Sequence, residues 1–489
     1  MAISGIINTN VNALNTLGAL SGTSSSLSTY IQQLSTGKQI NGPADNPAGY
    51  SIAQRFQTQI NGLNQAVSNG NQAVSLVQTA TGALQNETNL LQQIRTIAVQ
   101  SANGSNTSSD RQSLQGVVSQ LLAQVQTIAT QTQFNGQNLL DGSFAGQQFQ
   151  VGANANQIIN VSVSNAQSSA IGNYTAAASG SIYSSTGQVT NNGFGTAYTI
   201  SAGAGAFTSG TVTVSGSAGA SGVAVTADES AANVAASLNA ITQTTGVSAT
   251  ANTSVAFTVT SGSFSFSLSN GTSGSPTNTV NISANVTSVD PTGLSGLVSA
   301  INNDTAQTGV AASINSSNQL VLTQNQGHNI LVSGFAGSGT LAAGGTTLSS
   351  TATSGLVQGF VQVNSTQGFS LGNGSAIGLG SISALQAAST VNVSTVAGAN
   401  AALSIIDQAI NTLNQQGGSL GAIQNRIQAS VQNVQTTSTN LQAAQSVVQD
   451  ANIASATTQL SKYQILQQAG ISTLAQANAL QQSYLKLLP

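Results

Sequence analysis

The chain has 489 residues, room for two to four domains, and 39% of them are apolar, enough for buried cores. It has no Cys or Trp, one Met and one His, which excludes disulfides, thiolate nucleophiles and Cys/His metal sites, and only 3% of its residues are charged, against about a quarter in ordinary globular domains. All seven basic residues lie outside residues 142–400, and phosphate recognition needs clustered Lys or Arg, so no nucleic-acid partner is expected.

No apolar run approaches the ~20 residues of a membrane span, so membrane insertion is not expected. No basic residue precedes Lys38 and no signal-like apolar core is present, so a cleaved secretory peptide is not expected, and any export would use another route. The first segment carries apolar residues at Ile7, Val11 and Leu14, then at Leu27, Ile31 and Leu34, with an irregular stretch through Leu17 and Leu20. A joint follows, LSTGKQINGPADNPAGYSIAQRF (34–56), which holds Lys38, Asp45 and Arg55 and two of the five prolines. Asn46 before Pro47 predicts a helix N-cap with proline at the first helical position.

From there Phe56, Ile60, Leu63, Val67, Gly70, Val74, Val77, Thr81, Leu84, Thr88 and Leu91 alternate in steps of four and three. That spacing predicts one long helix with a heptad seam. A second seam, Leu114, Val118, Leu121, Val125 and Ile128, follows the polar turn 103–110 and predicts an antiparallel partner helix. Strand-like alternation begins at FQVGANANQIINVSVS (149–164) and continues in 256–271 and 319–334. VAASLNAITQTTGVSATA (234–251) resembles GLVSAINNDTAQTGVAAS (296–313) at an offset of 63 residues, predicting two related α+β units. The helical rhythm returns at Ile427, Val431, Val434, Ser438, Leu441, Gln445 and Val448. The last segment, with Ile453, Leu460, Leu474, Leu480 and Leu487, is the expected mate of the first. These stripes are thin and partly polar, so the two end segments are expected to gain order on meeting other copies of the chain.

Catalytic chemistry is missing. The one His, His328 in QGHNI, is expected in a hairpin turn, and no H-E-x-x-H occurs. Asp228 and Glu229 fit a solvated helix N-terminus before SAANVAASL, and the glycines of GAGAG and AAGGTT read as loops. No enzyme activity, metal or cofactor is expected.

In order along the chain, IINTNVNAL (6–14), LSTGKQIN (34–41), DNPAGYSIAQRF (45–56), IRTIAVQSANG (94–104), QTQFNGQNLLDG (131–142), FQVGAN (149–154), SKYQILQQAG (461–470) and LAQANALQQSYLKLL (474–488) resemble bacterial flagellin. The resemblance implies an α+β fold: a long α-helical coiled-coil bundle formed by both termini, with a β-rich insert of two related outer subdomains. It implies segments at 1–42 (N-terminal inner helix), 43–165 (N-terminal part of a helical middle domain, with a β-hairpin), 166–395 (variable β-rich outer domains), 396–449 (C-terminal part of the middle domain) and 450–489 (C-terminal inner helix).

On this reading Ile7, Val11, Leu14, Leu27, Ile31, Leu34, Leu460, Leu474, Leu480 and Leu487 serve polymerisation of the inner layer. Lys38, Asp45 and Arg55 belong to the connector between layers. Phe56, Ile60, Leu63, Val67, Val74, Val77, Leu84, Leu91, Leu114, Val118, Leu121, Val125, Ile427, Val431, Val434 and Leu441 form the middle-domain seam. The implied function is that of a self-assembling subunit of a flagellar filament for swimming, located outside the cell. The implied partners are other copies of the chain, a flagellar export chaperone, a filament cap and hook-associated proteins. The alternatives are a hook-filament junction protein, against which the C-terminal LQQAG and LAQANAL matches weigh, and an exported adhesin that uses the β-rich insert.

Two departures from the family pattern stand out. In the region read by a flagellin-sensing Toll-like receptor, Arg95 and Ile97 match, whereas Gln93 replaces a usual Arg, Thr96 a usual Glu, and Val117 lies where a downstream Glu is usual; weak receptor activation is expected. In 446–460 only Asp450 is acidic. Neutral contacts of this kind suit an acidic habitat, because amide and hydroxyl hydrogen bonds do not titrate. Lineage drift or a glycan-covered Ser/Thr surface is the competing explanation.

Overall fold

The computed structural model describes residues 9–178, 200–201, 207–227, 229–272, 275–315, 317–343, 346–351 and 354–485. Among these, the helices in chain order are α1 (Val11–Thr36), α2 (Pro47–Ala102), α3 (Ser108–Gln131), α4 (Ala231–Ala240), α5 (Thr242–Thr245), α6 (Pro291–Asn303), α7 (Thr305–Thr308), α8 (Val396–Gln449) and α9 (Ile453–Leu485). The chain forms two compact units, one of Met1–Val77, Gly146–Val161 and Ala422–Pro489, the other of Gln78–Ala145 and Ser162–Gly421. The long helices α2 and α8 contribute to both.

In the first unit, α1 begins where the Asn10 side chain accepts the Ala13 N–H and stops at Gly37, which takes the left-handed conformation (φ 70°) that a side chain would resist. Pro47 opens α2, and the Asn46 Oδ1 accepts the Gly49 N–H at 2.9 Å, the predicted cap. The helix buries Ile60, Leu63, Ala66, Gly70, Ala73 and Val77. Against it α8 buries Ile427, Val431 and Ser438, and the Ser438 hydroxyl donates to the Asn64 Oδ1 at 3.1 Å. Val434 and Leu441 are half-buried. A hairpin of Gln147–Gln150 and Ile158–Val161 completes the unit.

Heptad spacing is present in α2, but half of its stripe runs one residue earlier than the branched residues suggest. Ala66, Ala73 and Ala80 are buried, whereas Val67, Val74, Thr81 and Thr88 beside them are half-buried, as is Phe56. The close approach is seen at Gly70, on the same face, where an added β-carbon would sit 2.4 Å from the Val431 Cγ2, so small side chains suit this stripe.

In the second unit, α2 continues the stripe with Ala80, Leu84, Glu87, Leu91, Ile94, Ala98 and Ser101. A Thr107–Asp110 capping box starts α3, and the Arg111 guanidinium donates to the Ser101 and Asn103 carbonyls, both at 2.9 Å, which folds α3 back along α2. Here too half the stripe is displaced by one. Val118, Leu122, Val125 and Ala129 are buried, whereas Leu114, Leu121 and Ile128 are half-buried. From α8 come Ala402, Ile406, Ala409, Leu413, Gln416 and Leu420.

The β-rich part of this unit holds a five-stranded and an eleven-stranded sheet. Strand Val247–Val259 pairs antiparallel with Leu320–Gln324 and with Phe360–Ser365 in the larger sheet, and Gly262–Thr272 pairs with Ser275–Val286 and Ile330–Ala336 in the smaller. The alternating runs 256–271 and 319–334 are therefore each split between two sheets. This corrects the expected hairpin at His328: the turn carries the chain from one sheet to the other. Gln324 organises it, its Oε1 accepting the N–H groups of Gln326 (2.9 Å) and His328 (3.0 Å), with Gly327 at φ 81°. The crossing lets Phe257, Leu320 and Leu322 of one sheet and Phe264, Phe266 and Val332 of the other enclose one core, covered by Leu294, Leu297 and Ile301 of α6.

The internal repeat is matched hydrogen bond for hydrogen bond. Asn239 at the end of α4 donates to the Ala249 carbonyl (2.8 Å) and accepts its N–H (2.7 Å), while Asn302 does the same to Ala312 at 2.9 and 2.7 Å. Gly246 (φ 72°) and Gly309 (φ 69°) end the short helices α5 and α7. The core under α4, with Val234, Ala235 and Leu238 against Val212, Val214, Val247 and Val363, is the counterpart of that under α6.

Candidate functional site

The paired helices α1 and α9 hold most of the residues that the sequence singles out for assembly. Their mutual face is narrow. Ala13, Thr16, Leu20, Thr23, Leu27, Tyr30 and Leu34 of α1 are half-buried, and Leu460, Tyr463, Gln467, Gly470, Leu474 and Ala477 of α9 are likewise half-buried, with Ala456 buried. Tyr30 and Tyr463 stack with ring centroids 5.5 Å apart, the Lys462 Nζ lies 5.8 Å from the Tyr463 centroid, and the Asn10 amide donates to the Ala477 carbonyl at 3.1 Å. No described residue of α1 is buried.

Other large aliphatic residues point elsewhere. Val11 (51% exposed), Leu14 (57%), Leu17 (53%) and Ile31 (51%) on α1, and Ile453 (50%), Ile465 (67%), Leu466 (43%) and Ile471 (54%) on α9, stand open in the single chain. Leu480 is 58% exposed. Thus Leu27, Leu34, Leu460 and Leu474 lie on the mutual face, whereas Val11, Leu14 and Ile31 do not; Ile7 and Leu487 lie outside the described residues. Large apolar side chains left open outside the mutual face distinguish this pair from a self-sufficient hairpin.

At the joint, the chain leaving α1 meets the chain leaving α8. Gln39 donates its N–H to the Gln449 carbonyl at 2.7 Å, Ala451 donates to the Gly37 carbonyl at 2.9 Å, and Lys38 and Asp450 face each other as an antiparallel bridge. Asp45 serves the turn itself, one carboxylate oxygen accepting the N–H groups of Asn41 (2.8 Å) and Gly42 (2.9 Å). Ile40 is buried beneath it. None of Lys38, Asp45 and Arg55 joins an ion pair among the described residues, and Lys38 acts through its backbone.

On α2, Gln93, Arg95 and Thr96 are exposed and Ile97 is half-buried. Arg95 donates its Nε–H to the Asp407 carboxylate at 2.6 Å, which raises the guanidinium further above its ordinary range. The hairpin loop, α2 and α8 of the first unit also bound a cleft of about 830 Å³, lined by Leu63, Ala153, Ile158, Arg426, Asn433 and Leu441. No group of three or more His, Cys, Asp or Glu suited to a metal occurs among the described residues, and no described helix is long and apolar enough to cross a membrane.

Residues that the sequence reading passed over are the alanines at 66, 73 and 80, the buried polar pair Glu87 and Gln416, and the backbone bridge between the two joints. The alanine signal was available as a seven-residue recurrence. The bridge was not, because backbone pairing leaves no side-chain pattern.

Comparison with known proteins bears on the same segments. Residues 7–145 match the description "bacterial flagellin N-terminal helical region", residues 403–488 match "bacterial flagellin C-terminal helical region", and residues 264–326, which contain α6 and α7, match "flagellin hook IN motif". The B-type flagellin of Pseudomonas aeruginosa is 38% identical over 508 aligned residues, spanning 99% of each chain. Flagellin B of Helicobacter pylori is 29% identical over 526, again with 99% of each. Among solved structures, that of FliC from Burkholderia pseudomallei aligns at 24% identity over 72% of this chain and 99% of its own, with a TM-score of 0.29.

Proposed function

Because the chain belongs to the bacterial flagellin family, whose members are structural proteins and not enzymes, we propose that its filament is built through the uncovered apolar residues of α1 and α9. The protein is a structural subunit of the bacterial flagellar filament, a polymer of copies of itself. The observation that supports this route is the outward set of Val11, Leu14, Leu17, Ile31, Ile465 and Ile471 in the single chain. Fully burying one such side chain stabilises by ~1.5–3 kcal/mol, and a helical lattice repeats that gain at every copy.

In this proposal the segments 1–42 and 450–489 form the inner layer, 43–165 and 396–449 the middle layer, and 166–395 the outward block. The bridged joint at Gly37 and Ala451 ties the two end helices together, so that they enter the lattice as one element. Export without a cleaved signal peptide, escort by a chaperone that covers the C-terminal helix, and addition beneath a cap next to hook-associated proteins belong to the same proposal. An apolar surface of this kind needs cover before assembly.

Seeded elongation tests it. Leu14→Asp and Ile465→Asp, at open positions off the mutual face, are expected to keep the helical content of the single chain yet fail to extend seeds. Leu27→Ala, on the mutual face, is expected to weaken the α1–α9 pair itself. Normal elongation by both Asp variants would overturn the proposal.

A further inference from the structure

Glu87 and Gln416 are polar residues in otherwise apolar stripes. Glu87 follows Ala66, Ala73 and Ala80 at seven-residue spacing on α2, and Gln416 follows Ala402 and Ala409 on α8. Glu87 is wholly buried, and neither carboxyl oxygen has a hydrogen-bond donor. Gln416 is also buried; its amide Nε2 donates to the Ser164 carbonyl at 2.8 Å, which fixes the amide, while its Oε1 is without a donor.

The Arg95–Asp407 contact sets the antiparallel register of the two helices. Eight residues back along α2 from Arg95 is Glu87, and eight forward along α8 from Asp407 is Gln415, next to Gln416. Two buried acceptors without a donor among the described residues thus fall in the same layer of the seam, and a carboxyl group can supply a donor only when it holds a proton.

We propose that the Glu87 carboxyl is held in its neutral form and donates its O–H to the Gln416 Oε1, so that folding of this bundle takes up one proton at neutral pH. A bare carboxylate in this position would be an uncompensated buried charge, which proteins avoid by neutralising the group. Among the described residues no cation is placed to compensate it. On α2 the nearest charge is Arg95, already held by Asp407, about 12 Å along the axis. On α3 the charges are Asp110 and Arg111, in the first turn at the far end of α2, and α8 contributes only Asp407 within this unit. Segment 162–171 has no ionisable side chain, and in the loop after α3 Asp141 is occupied by Asn138 and Ser143. Burial accordingly pushes the Glu87 carboxyl up to about 8 from 4.5.

The sign follows from linkage. A carboxyl raised in the folded state costs nothing below pH 4.5, where both states hold the proton. Between 4.5 and 8 the folded state must keep a proton that the unfolded chain has lost, so stability falls as pH rises, and the loss levels off above 8. The proton thus makes the bundle lose stability as pH rises through the neutral range and leaves it indifferent to acid.

Two measurements on the full-length chain test this. Infrared spectroscopy at pH 7 is expected to show the carbonyl band of a hydrogen-bonded, protonated carboxyl that vanishes in Glu87→Gln. In Gln416→Leu the band is expected to persist at the higher frequency of a free acid. Hydrogen-exchange protection of the α2 amides from Leu84 to Leu91, corrected for the intrinsic pH dependence of exchange, is expected to fall up to tenfold per pH unit between 5 and 8. That slope is expected to be absent in Glu87→Gln, whose amide donates to Gln416 at every pH. Absence of the band, an unmoved band in Gln416→Leu, or an equal slope in Glu87→Gln would each overturn the proposal.

Discussion

Gly70 and Val431 touch so closely that a β-carbon on Gly70 would sit 2.4 Å from the Val431 Cγ2. Gly70→Ala is therefore a contest between two known effects. Replacing glycine inside a helix gains about 1 kcal/mol in propensity, whereas overpacking a tight seam costs about 1–3 kcal/mol, and the β-branched Val431 has little rotamer freedom to yield. The clash is expected to win by roughly 1 kcal/mol, read as a lower denaturant midpoint for the single chain. Val431→Ala added to Gly70→Ala is expected to recover most of it, and a stabilised Gly70→Ala would show that the helices separate freely.

The same closeness explains what the sequence disclosed and what it hid. Heptad spacing revealed that α2, α3 and α8 bury one face each, because a period of seven survives whichever residue type carries it. Part of the α2 stripe fell one residue off because branched Val at 67 and 74 looks more apolar than Ala at 66 and 73, and the spacing then carried on to Thr81 and Thr88 beside the buried Ala80 and Glu87; in α3 residue type does not separate Leu121 from the buried Leu122. Scoring apolarity alone ignores how near two backbones come. The repeat at offset 63 was legible because capping and turn residues such as Asn239 and Asn302, Gly246 and Gly309 are chosen by local geometry. The allocation of strands to two sheets was not, since the runs 256–271 and 319–334 keep alternating straight through the point where the chain changes sheet.

Ala80 and Thr81 give the sharpest test of the stripe. Ala80 is wholly buried and Thr81 only half so. Ala80→Leu is expected to cost about 1–3 kcal/mol by overpacking, and Thr81→Leu less than about 0.5 kcal/mol, typical of a position off the core. Denaturant titration of both variants separates the two registers; equal effects would return the stripe to Thr81.

Asn302 closes the second repeat by bonding both polar groups of the Ala312 peptide. Asn302→Ala removes two hydrogen bonds, each worth ~0.5–1.5 kcal/mol net. The expected loss is about 1–2 kcal/mol, with Asn239→Ala weakening the first repeat by a similar amount. Asn302→Asp keeps the bond to the Ala312 N–H and is expected to lie between. Thermal unfolding of the β-rich unit reads all three.

Arg95 and Asp407 form the one ion pair among the described residues, with side chains 48% and 44% exposed. Solvent screens such a pair, so Asp407→Asn is expected to cost only about 0.5 kcal/mol and to matter less in high salt. The larger effect belongs to recognition. We propose that the exposed face of Gln93, Arg95 and Thr96 is a poor match for a flagellin-sensing Toll-like receptor, because Gln93 and Thr96 are uncharged, and a reporter-cell assay is then expected to give a weak response. Gln93→Arg with Thr96→Glu is expected to raise potency, because charge-assisted hydrogen bonds are about twice as strong as neutral ones. Full potency of the unaltered chain would overturn the expectation.

Acid should leave the assembled chain intact. The carboxylates that folding holds below their ordinary range are Asp110, through the Thr107 N–H and hydroxyl, Asp141, through the Ser143 hydroxyl and N–H, and Asp290, through the Gly293 N–H. Each contributes stability above the unfolded value of 3.8 that is lost as pH falls through its lower folded value. Asp110 and Asp290 are exposed at helix starts, Asp141 is half-buried in a loop, and none belongs to the α1–α9 pair. Glu87 runs the other way and loses nothing in acid. With seven basic residues and one His, the fully protonated chain carries at most +8 spread over 489 residues, too sparse a charge to drive copies apart through neutral Gln, Asn, Ser and Thr contacts. Filaments held at pH 2 and at pH 7 are expected to sediment alike and to keep the same length distribution by electron microscopy. Depolymerisation at pH 2 would show that the scarce ionisable groups govern assembly after all, and would leave drift or a glycan-covered surface as the reason for the low charge.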